Sequence, residues 1–440
     1  MTICATTPLT AALYPPWDQR KPEAWKRGEI DWDSGGPLTA GAPEVDDLAA
    51  QKLETTKVKS ILVYLRLDCM PTLLALVSLL GGKHISDCIE RKHPLHDHDS
   101  SKSEAATTSH GQSKRPIEVH GVRLLELTDR SSSVMQVTEV DEYSIFDPVL
   151  NAFRVLGQLY NLAISGEVAV VPESSYAETL VNKAVEESSD LLILPWSETG
   201  SISESQAISS DSVQGRLASD AYFGFVRKAL DTAQCNVAVF INKGFSGSLK
   251  PRPSSLKRTM SALSLRSHRD HHPTTMPSVD RSHHNFLPFF GGADGRVALR
   301  LVLQLAENPE VTATTVHFDL ASTVISVQPK AAGVARPRSA SRTQQEDDAA
   351  FFATMQRSLA DELQSRAVFK TRGTLAAMDA FVEVAEKATR ANLRNSYDLV
   401  VVSRSNNESD SCLGDAADAI IASGVKASLL AVQARCSGSE

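Results

Sequence analysis

Short aliphatic runs alternate with stretches patterned for helices along most of the chain. This alternation restricts the fold more than any single motif does. In the first half the runs are Ile61–Leu67, Val119–Leu127, Val168–Val171, Leu191–Leu194 and Val237–Ile241. The segments between them predict helices over Pro71–Leu80, Tyr143–Tyr160, Tyr176–Glu187 and Arg216–Thr232, the first with proline in its opening turn. Strands that alternate with helices pair in parallel, because each helix carries the chain back across the sheet. The expected product is a parallel sheet with helices on both faces.

The series then repeats. Phe286–Phe290 is a short apolar run that turns on Gly291 and Gly292. A helix follows, with Val297, Leu301 and Leu305 at helical spacing, and Pro309 ends it. Pro288 is awkward for a central strand, so this strand is expected to be short or kinked. Strands are predicted over Thr312–Phe318, Val368–Lys370, Leu399–Val402 and Leu429–Val432. Helices are predicted over Ala349–Gln364, Leu375–Arg390 and Ala416–Ala422. The fourth strand of each half opens on Asp-Leu, at Asp190-Leu191 and Asp398-Leu399. The expected fold class is α/β, with two tandem five-stranded, mainly parallel sheets. The boundaries are 55–245, with a polar loop inserted at 83–115, and 285–436, with another at 320–348. The Ser-, Pro-, Arg- and His-rich stretch 246–284 is expected to be a disordered linker open to phosphorylation.

Other features exclude more than they assign. At 440 residues and a net charge of −8, the chain shows no basic face that would suit nucleic acid. Its six cysteines have neither metal nor disulfide spacing, which fits free thiols. No run reaches the roughly 18–20 apolar residues that cross a bilayer, and no secretory signal is evident. Histidines cluster at His84, His93, His96 and His98, and at His268, His271, His272, His283 and His284. Without cysteine partners they read as solvated, pH-titrating tracts, not zinc sites. Nothing reads as an enzyme: Cys69 and Cys235 have no histidine in a triad arrangement, and Ser197 lacks a nucleophile elbow. The acidic pair Asp347-Asp348 reads as a solvated loop. Residues 1–54 show no domain-like periodicity, and their aromatic residues beside basic ones suit a membrane–water interface or a loose tail.

Thr6-Thr7-Pro8-Leu9-Thr10, Leu13-Tyr14-Pro15-Pro16-Trp17 and Arg27-Gly28-Glu29-Ile30-Asp31-Trp32-Asp33 resemble the segment after the last transmembrane helix of fungal K+/H+ antiporters. Those belong to the monovalent cation–proton antiporter-2 superfamily, with the plant cation/H+ exchangers. The resemblance continues through His120–Arg130, Leu194–Ser197, Cys235–Val239 and Tyr397–Val401. Phe290-Gly291-Gly292-Ala293-Asp294-Gly295-Arg296 is similar to a plant Phe-Phe-Gly-Gly-x-Asp-Asp-Arg-Glu-Ala motif, with Gly295 and Val297 departing from it. The resemblance implies a cytosolic regulatory region, on an intracellular or plasma membrane. Its partners would be the membrane transport domain of the same polypeptide and a second copy in a homodimer. Each half also resembles the universal stress protein fold, some members of which bind AMP or ATP.

By that resemblance an aspartate at the end of the first strand faces adenine, a role that falls to Asp68 and, in the second half, to Asp294. The glycine-rich phosphate loop of the ATP-binding members is absent; Ser197-Glu198-Thr199-Gly200-Ser201 and Ser403-Arg404-Ser405-Asn406 stand in its place. Ligands of open parallel sheets bind beyond the carboxyl ends of the strands. The candidate residues for an adenine nucleotide are therefore Leu67, Asp68, Trp196, Ser197, Gly291, Gly292, Asp294, Ser403 and Arg404. Trp196 has two readings, a platform for a base or core packing. The functional readings are a regulatory module, a ligand-free dimerisation scaffold and a stand-alone nucleotide-binding stress protein. Two separate sheets are expected; a single continuous sheet, or two unrelated architectures, would overturn the doubling.

Overall fold

In strand β1 (Ser60–Leu65) Ile61, Val63 and Leu65 pack on one side of the sheet and Leu62 and Tyr64 on the other, all buried. A strand this apolar needs cover on both faces. The computed structural model describes residues 56–81, 117–127, 145–159, 162–202, 219–245, 283–319, 339–373, 377–390, 398–404 and 411–435, and it supplies that cover. All of them lie within the compact unit that follows Gln51.

The other strands are β2 (Glu118–Glu126), β3 (Ala163–Val171), β4 (Leu191–Pro195), β5 (Asn236–Ile241), β6 (His283–Phe289), β7 (Val311–Asp319), β8 (Ala367–Gly373), β9 (Leu399–Ser403) and β10 (Ser428–Gln433). They form one ten-stranded sheet in the order β3-β2-β1-β4-β5-β10-β9-β6-β7-β8. Within each half the pairs are parallel, and only β5 and β10 run antiparallel. Two separate sheets are thus replaced by one continuous sheet. The strand order nevertheless repeats about the β5–β10 seam, so the continuity arises from the pairing of two equivalent edges. The reversal at the seam puts the carboxyl ends of the two sets of strands at opposite edges of the sheet.

The helices repeat as well. On one face lie α1 (Met70–Leu80), α2 (Pro148–Leu159), α5 (Gly292–Ala306), α6 (Ser339–Arg357) and the short α7 (Asp361–Gln364). On the other lie α3 (Tyr176–Glu186), α4 (Asp220–Thr232), α8 (Ala377–Arg390) and α9 (Asp415–Ala422). Pro71 sits in the first turn of α1, where its missing N–H costs nothing. Ser219 caps α4 by accepting the Tyr222 N–H.

Several expectations need correction. His283 and His284 are not the end of a solvated tract: both are buried in β6, where His284 bonds Thr312 and His283 stacks on Phe245. The other seven histidines of the two tracts lie outside the described residues, as do 1–55, 82–116 and 246–282. The helix expected over 349–364 begins at Ser339, inside the expected loop, and breaks before α7, where Ala360 adopts an extended conformation. Its first turns carry no apolar stripe, so periodicity could not reveal them. Pro288 is tolerated because β9 pairs with β6 only at Asn285 and Phe286, leaving that side of the strand unpaired by the time proline is reached.

Candidate functional site

At the carboxyl edge of the first half, β1 runs into Arg66-Leu67-Asp68 and β4 into Trp196-Ser197. Arg66 is wholly buried. Its Nε and Nη2 donate to the two Asp68 oxygens at 3.0 and 3.1 Å, its Nη2 also to Ser197 Oγ at 3.0 Å, and its Nη1 to the Ile202 carbonyl at 2.7 Å. Its guanidinium lies 5.9 and 5.5 Å from the Tyr64 and Tyr222 ring centroids. Burial opposes the charge, but the two tyrosines and Asp68 outweigh it and hold Arg66 protonated. Burial also works against the Asp68 charge. The bonds and charge of Arg66 overcome it and keep the carboxyl below its ordinary value.

Asp68 has little left to offer adenine. Besides Arg66, its Oδ2 accepts the Glu198 N–H at 3.0 Å, and its Oδ1 lies 3.3 Å from Cys69 Sγ. Ser197 accepts the Gly200 N–H at 3.0 Å and is buried. Trp196 is 4% exposed and packs edge-on against Tyr222 at 5.3 Å, so it is core and no platform for a base. Leu67 alone of the four stands exposed. Glu198 turns to Asn242 Nδ2, at 2.6 Å, beyond β5. Burial, then the Asp68 charge, push the Cys69 thiol well above its ordinary value, which suits no nucleophile.

The carboxyl edge of the second half is built differently. Gly291 and Gly292 take φ of +88° and +76°, a turn that glycine makes without strain, and α5 starts there. A Cβ on Gly291 would stand 2.4 Å from Asp348 Oδ2. Asp348 is not in a solvated loop: it is buried on α6, accepts the Gly292 N–H at 2.7 Å, and takes Arg296 Nε on its other oxygen at 2.7 Å. The chain's own carboxylate therefore occupies the positive end of α5. Asp294 accepts the Ala434 N–H at 2.7 Å, just past β10. Burial raises its carboxyl, against the pull of that bond and of Arg404.

Ser403 and Arg404 end β9. Ser403 Oγ is buried without a hydrogen-bond partner. Arg404 does not face an open phosphate site: its Nη1 donates to Gln433 Oε1, and its Nη2 to Asp231 Oδ1 on α4 at 3.2 Å. Gln433 Nε2 reaches the Leu230 carbonyl at 2.9 Å. Arg404 and Gln433 thus staple the two halves across the seam. Between α5 and the end of β10 is a cavity of about 360 Å³ lined by Gly292, Ala293, Arg296, Val297, Arg300 and Ala434. Among the described residues, no three His, Cys, Asp or Glu side chains gather as a metal site.

Sequence reasoning missed Arg66, Arg296, Arg300 and Asp348. Arg66 left one signal, a lone charge inside an aliphatic run with an acid two residues on. Arg296 and Arg300 left another, two cations one turn apart near a helix start. Asp348 left none, because its partner is 56 residues away.

The fold and this edge define an α/β protein with a doubly covered, mainly parallel sheet. Residues 119–245 match a family model described as the plant cation/H(+) antiporter domain. Cation/H(+) antiporter 17 of Arabidopsis thaliana is 22% identical over 219 residues, covering 47% of this chain and 23% of the relative. Cation/H(+) antiporter 18 of the same plant is 24% identical over 211 residues, covering 46% and 22%. Parts of the chain are thus similar to proteins named as cation/H(+) antiporters. The chain spans about a quarter of the length of these relatives. Among solved structures, a universal stress protein from Archaeoglobus fulgidus is similar at 10% identity and a TM-score of 0.38, covering 85% of this chain and 96% of that one. A putative universal stress protein from Pseudomonas aeruginosa has 12% identity and a TM-score of 0.37, covering 86% and 94%. No described helix is long and apolar enough to cross a membrane.

Proposed function

We propose that this chain is the cytosolic regulatory region of a potassium/proton antiporter, attached to a membrane transport domain and paired in a homodimer. The observation that carries the reading is the match of residues 119–245 to the antiporter domain. The motif resemblance in residues 6–33 supports a position directly after the last membrane span. On this reading the two halves are tandem domains with the boundaries drawn from the sequence. They act by favouring one transport conformation through a difference in affinity. A bound adenine nucleotide would sit at the second edge, beside Gly291, Gly292, Asp294 and Ser403, because Arg66 already takes Asp68 at the first edge.

The ligand-free scaffold is the second reading, and the internal pairing of both Asp68 and Arg404 favours it. Proteoliposomes carrying the full-length polypeptide that contains this chain separate the two. Potassium-driven proton exchange is measured with AMP or ATP present and absent, in the parent and in Asp294→Asn. A nucleotide response lost in the variant supports regulation. Exchange indifferent to nucleotide, but lost with the dimer in sedimentation, supports the scaffold. Absence of potassium/proton exchange from the full-length protein overturns both.

A further inference from the structure

We infer that the cavity between α5 and the end of β10 is a binding site for a small molecule bearing one carboxylate or phosphate group, with Arg300 as its anchor and Arg296 as the second contact. The inference stands on the geometry of this chain and does not rest on the transport reading.

The end of the helix does not carry it, since Asp348 already satisfies the Gly292 N–H. What carries it is a pair of guanidiniums facing one cavity, of which Arg296 alone has a carboxylate partner among the described residues. Arg296 and Arg300 stand one turn apart on α5. Their Cζ atoms lie 5.3 and 5.4 Å from the centroid of the same Phe351 ring. Arg296 spends its Nε and Nη2 on Asp348. Arg300 has a buried Nε with no hydrogen-bond partner. A buried donor left unpaired is costly, and a guanidinium is shaped to grip an oxyanion through two parallel bonds.

The neighbouring charges set the ligand's character. Asp348 offsets Arg296, and Asp294 is engaged by the N–H of the lining residue Ala434 and by the charge of Arg404. Among the described residues Arg300 has no carboxylate partner, which suits one anionic group better than a triphosphate. Burial, then the charge of Arg296, make the Arg300 cation dearer to hold, and an arriving anion relieves both. Ala293, Val297 and Ala434 supply an apolar wall for the rest of the ligand. The volume of about 360 Å³ fits a small metabolite and lies at the lower end of ligand pockets. Asp348 shows that the rim already accepts a carboxylate, so a ligand and Asp348 compete for Arg296.

The test is a titration of the purified 440-residue chain with acetate, inorganic phosphate and AMP at low ionic strength, followed by calorimetry. Saturable binding of at least one probe is expected. Arg300→Gln should weaken it about tenfold or more, and Asp348→Asn should strengthen it by freeing Arg296. Ala293→Glu places a carboxylate at an exposed position on the cavity rim and should abolish binding in a chain with a parental circular dichroism spectrum. Which probe binds most tightly tells a carboxylate source from a phosphate source. Failure of all three probes at millimolar concentration overturns the inference. So does binding that survives both Arg300→Gln and Ala293→Glu.

Discussion

Removing Asp68 isolates the interaction that closes the first carboxyl edge. Asp68→Ala deprives the wholly buried Arg66 guanidinium of its bonds at 3.0 and 3.1 Å, while Ser197 Oγ and the Ile202 carbonyl remain. Breaking a buried ion pair by deleting one partner costs about 3–5 kcal/mol, because the other charge is left uncompensated. Two acceptors survive and the Asp68 side chain is 16% exposed, so the lower end, about 3 kcal/mol, is expected. Arg66→Met removes the charge itself, and Asp68 turns to water. The double variant should therefore lose about 1–2 kcal/mol less than the sum of the singles. Urea midpoints of the four proteins at pH 7 give this cycle. The sign of the pH dependence follows from the depressed Asp68 carboxyl. Its stabilisation is complete above the ordinary value of 3.8 and is lost as pH falls through the lower folded value, so parent and Asp68→Ala should converge in acid. A cost below about 0.5 kcal/mol at pH 7, or additive singles, refutes the clamp.

Gly291→Ala should destabilise by about 2–3 kcal/mol in urea unfolding, because it demands a φ near +88° of an L-residue and drives a Cβ to 2.4 Å from Asp348 Oδ2. Asn285→Leu should stabilise by about 1–2 kcal/mol, since neither amide atom of this fully buried side chain has a partner and its strand neighbours are Leu399 and Ala313. A lower thermal midpoint for that variant would show that the amide is satisfied in solution.

The strands were legible where apolar residues run together, as in Ile61–Leu65 or Leu399–Val402, because burial on both faces writes itself into the sequence. They were illegible where a buried strand starts on polar residues. His283, His284 and Asn285 read as linker because their burial depends on β7, β9 and Phe245. The candidate site divided along the same line. Gly291 and Gly292 announced their turn locally. The roles of Asp68, Arg404 and Asp348 depend on partners brought up by the fold: Ser197 for the first pair, Asp231 for the second and Gly292 for the third. Local sequence shows which groups can bond; it does not show which have already been taken.

The joining of the halves was the least legible feature, and it bears most on function. β5 and β10 pair over Val237–Ile241 and Leu429–Gln433, runs as apolar as the central strands. An exposed edge of that kind invites another strand, and here the equivalent edge of the second half fills it. The seam is then tied by side chains at both ends: Arg404 and Gln433 hold α4 at one, and at the other Ser428 Oγ accepts the Lys243 N–H at 3.0 Å while Lys243 Nζ donates to the Val425 carbonyl at 3.1 Å. Gln304 also exchanges two hydrogen bonds with the Val58 backbone, and Glu307 pairs with Lys57 at 2.6 Å. Gln433 and Ala434 are consecutive, so the strand that closes the seam also lines the arginine cavity. A ligand seated against Ala434 acts on the one strand through which the halves are joined. It would shift their arrangement by no more than the difference in its affinity for the two states, and an Asp294→Ala substitution, which frees the Ala434 N–H, alters that difference without touching either arginine.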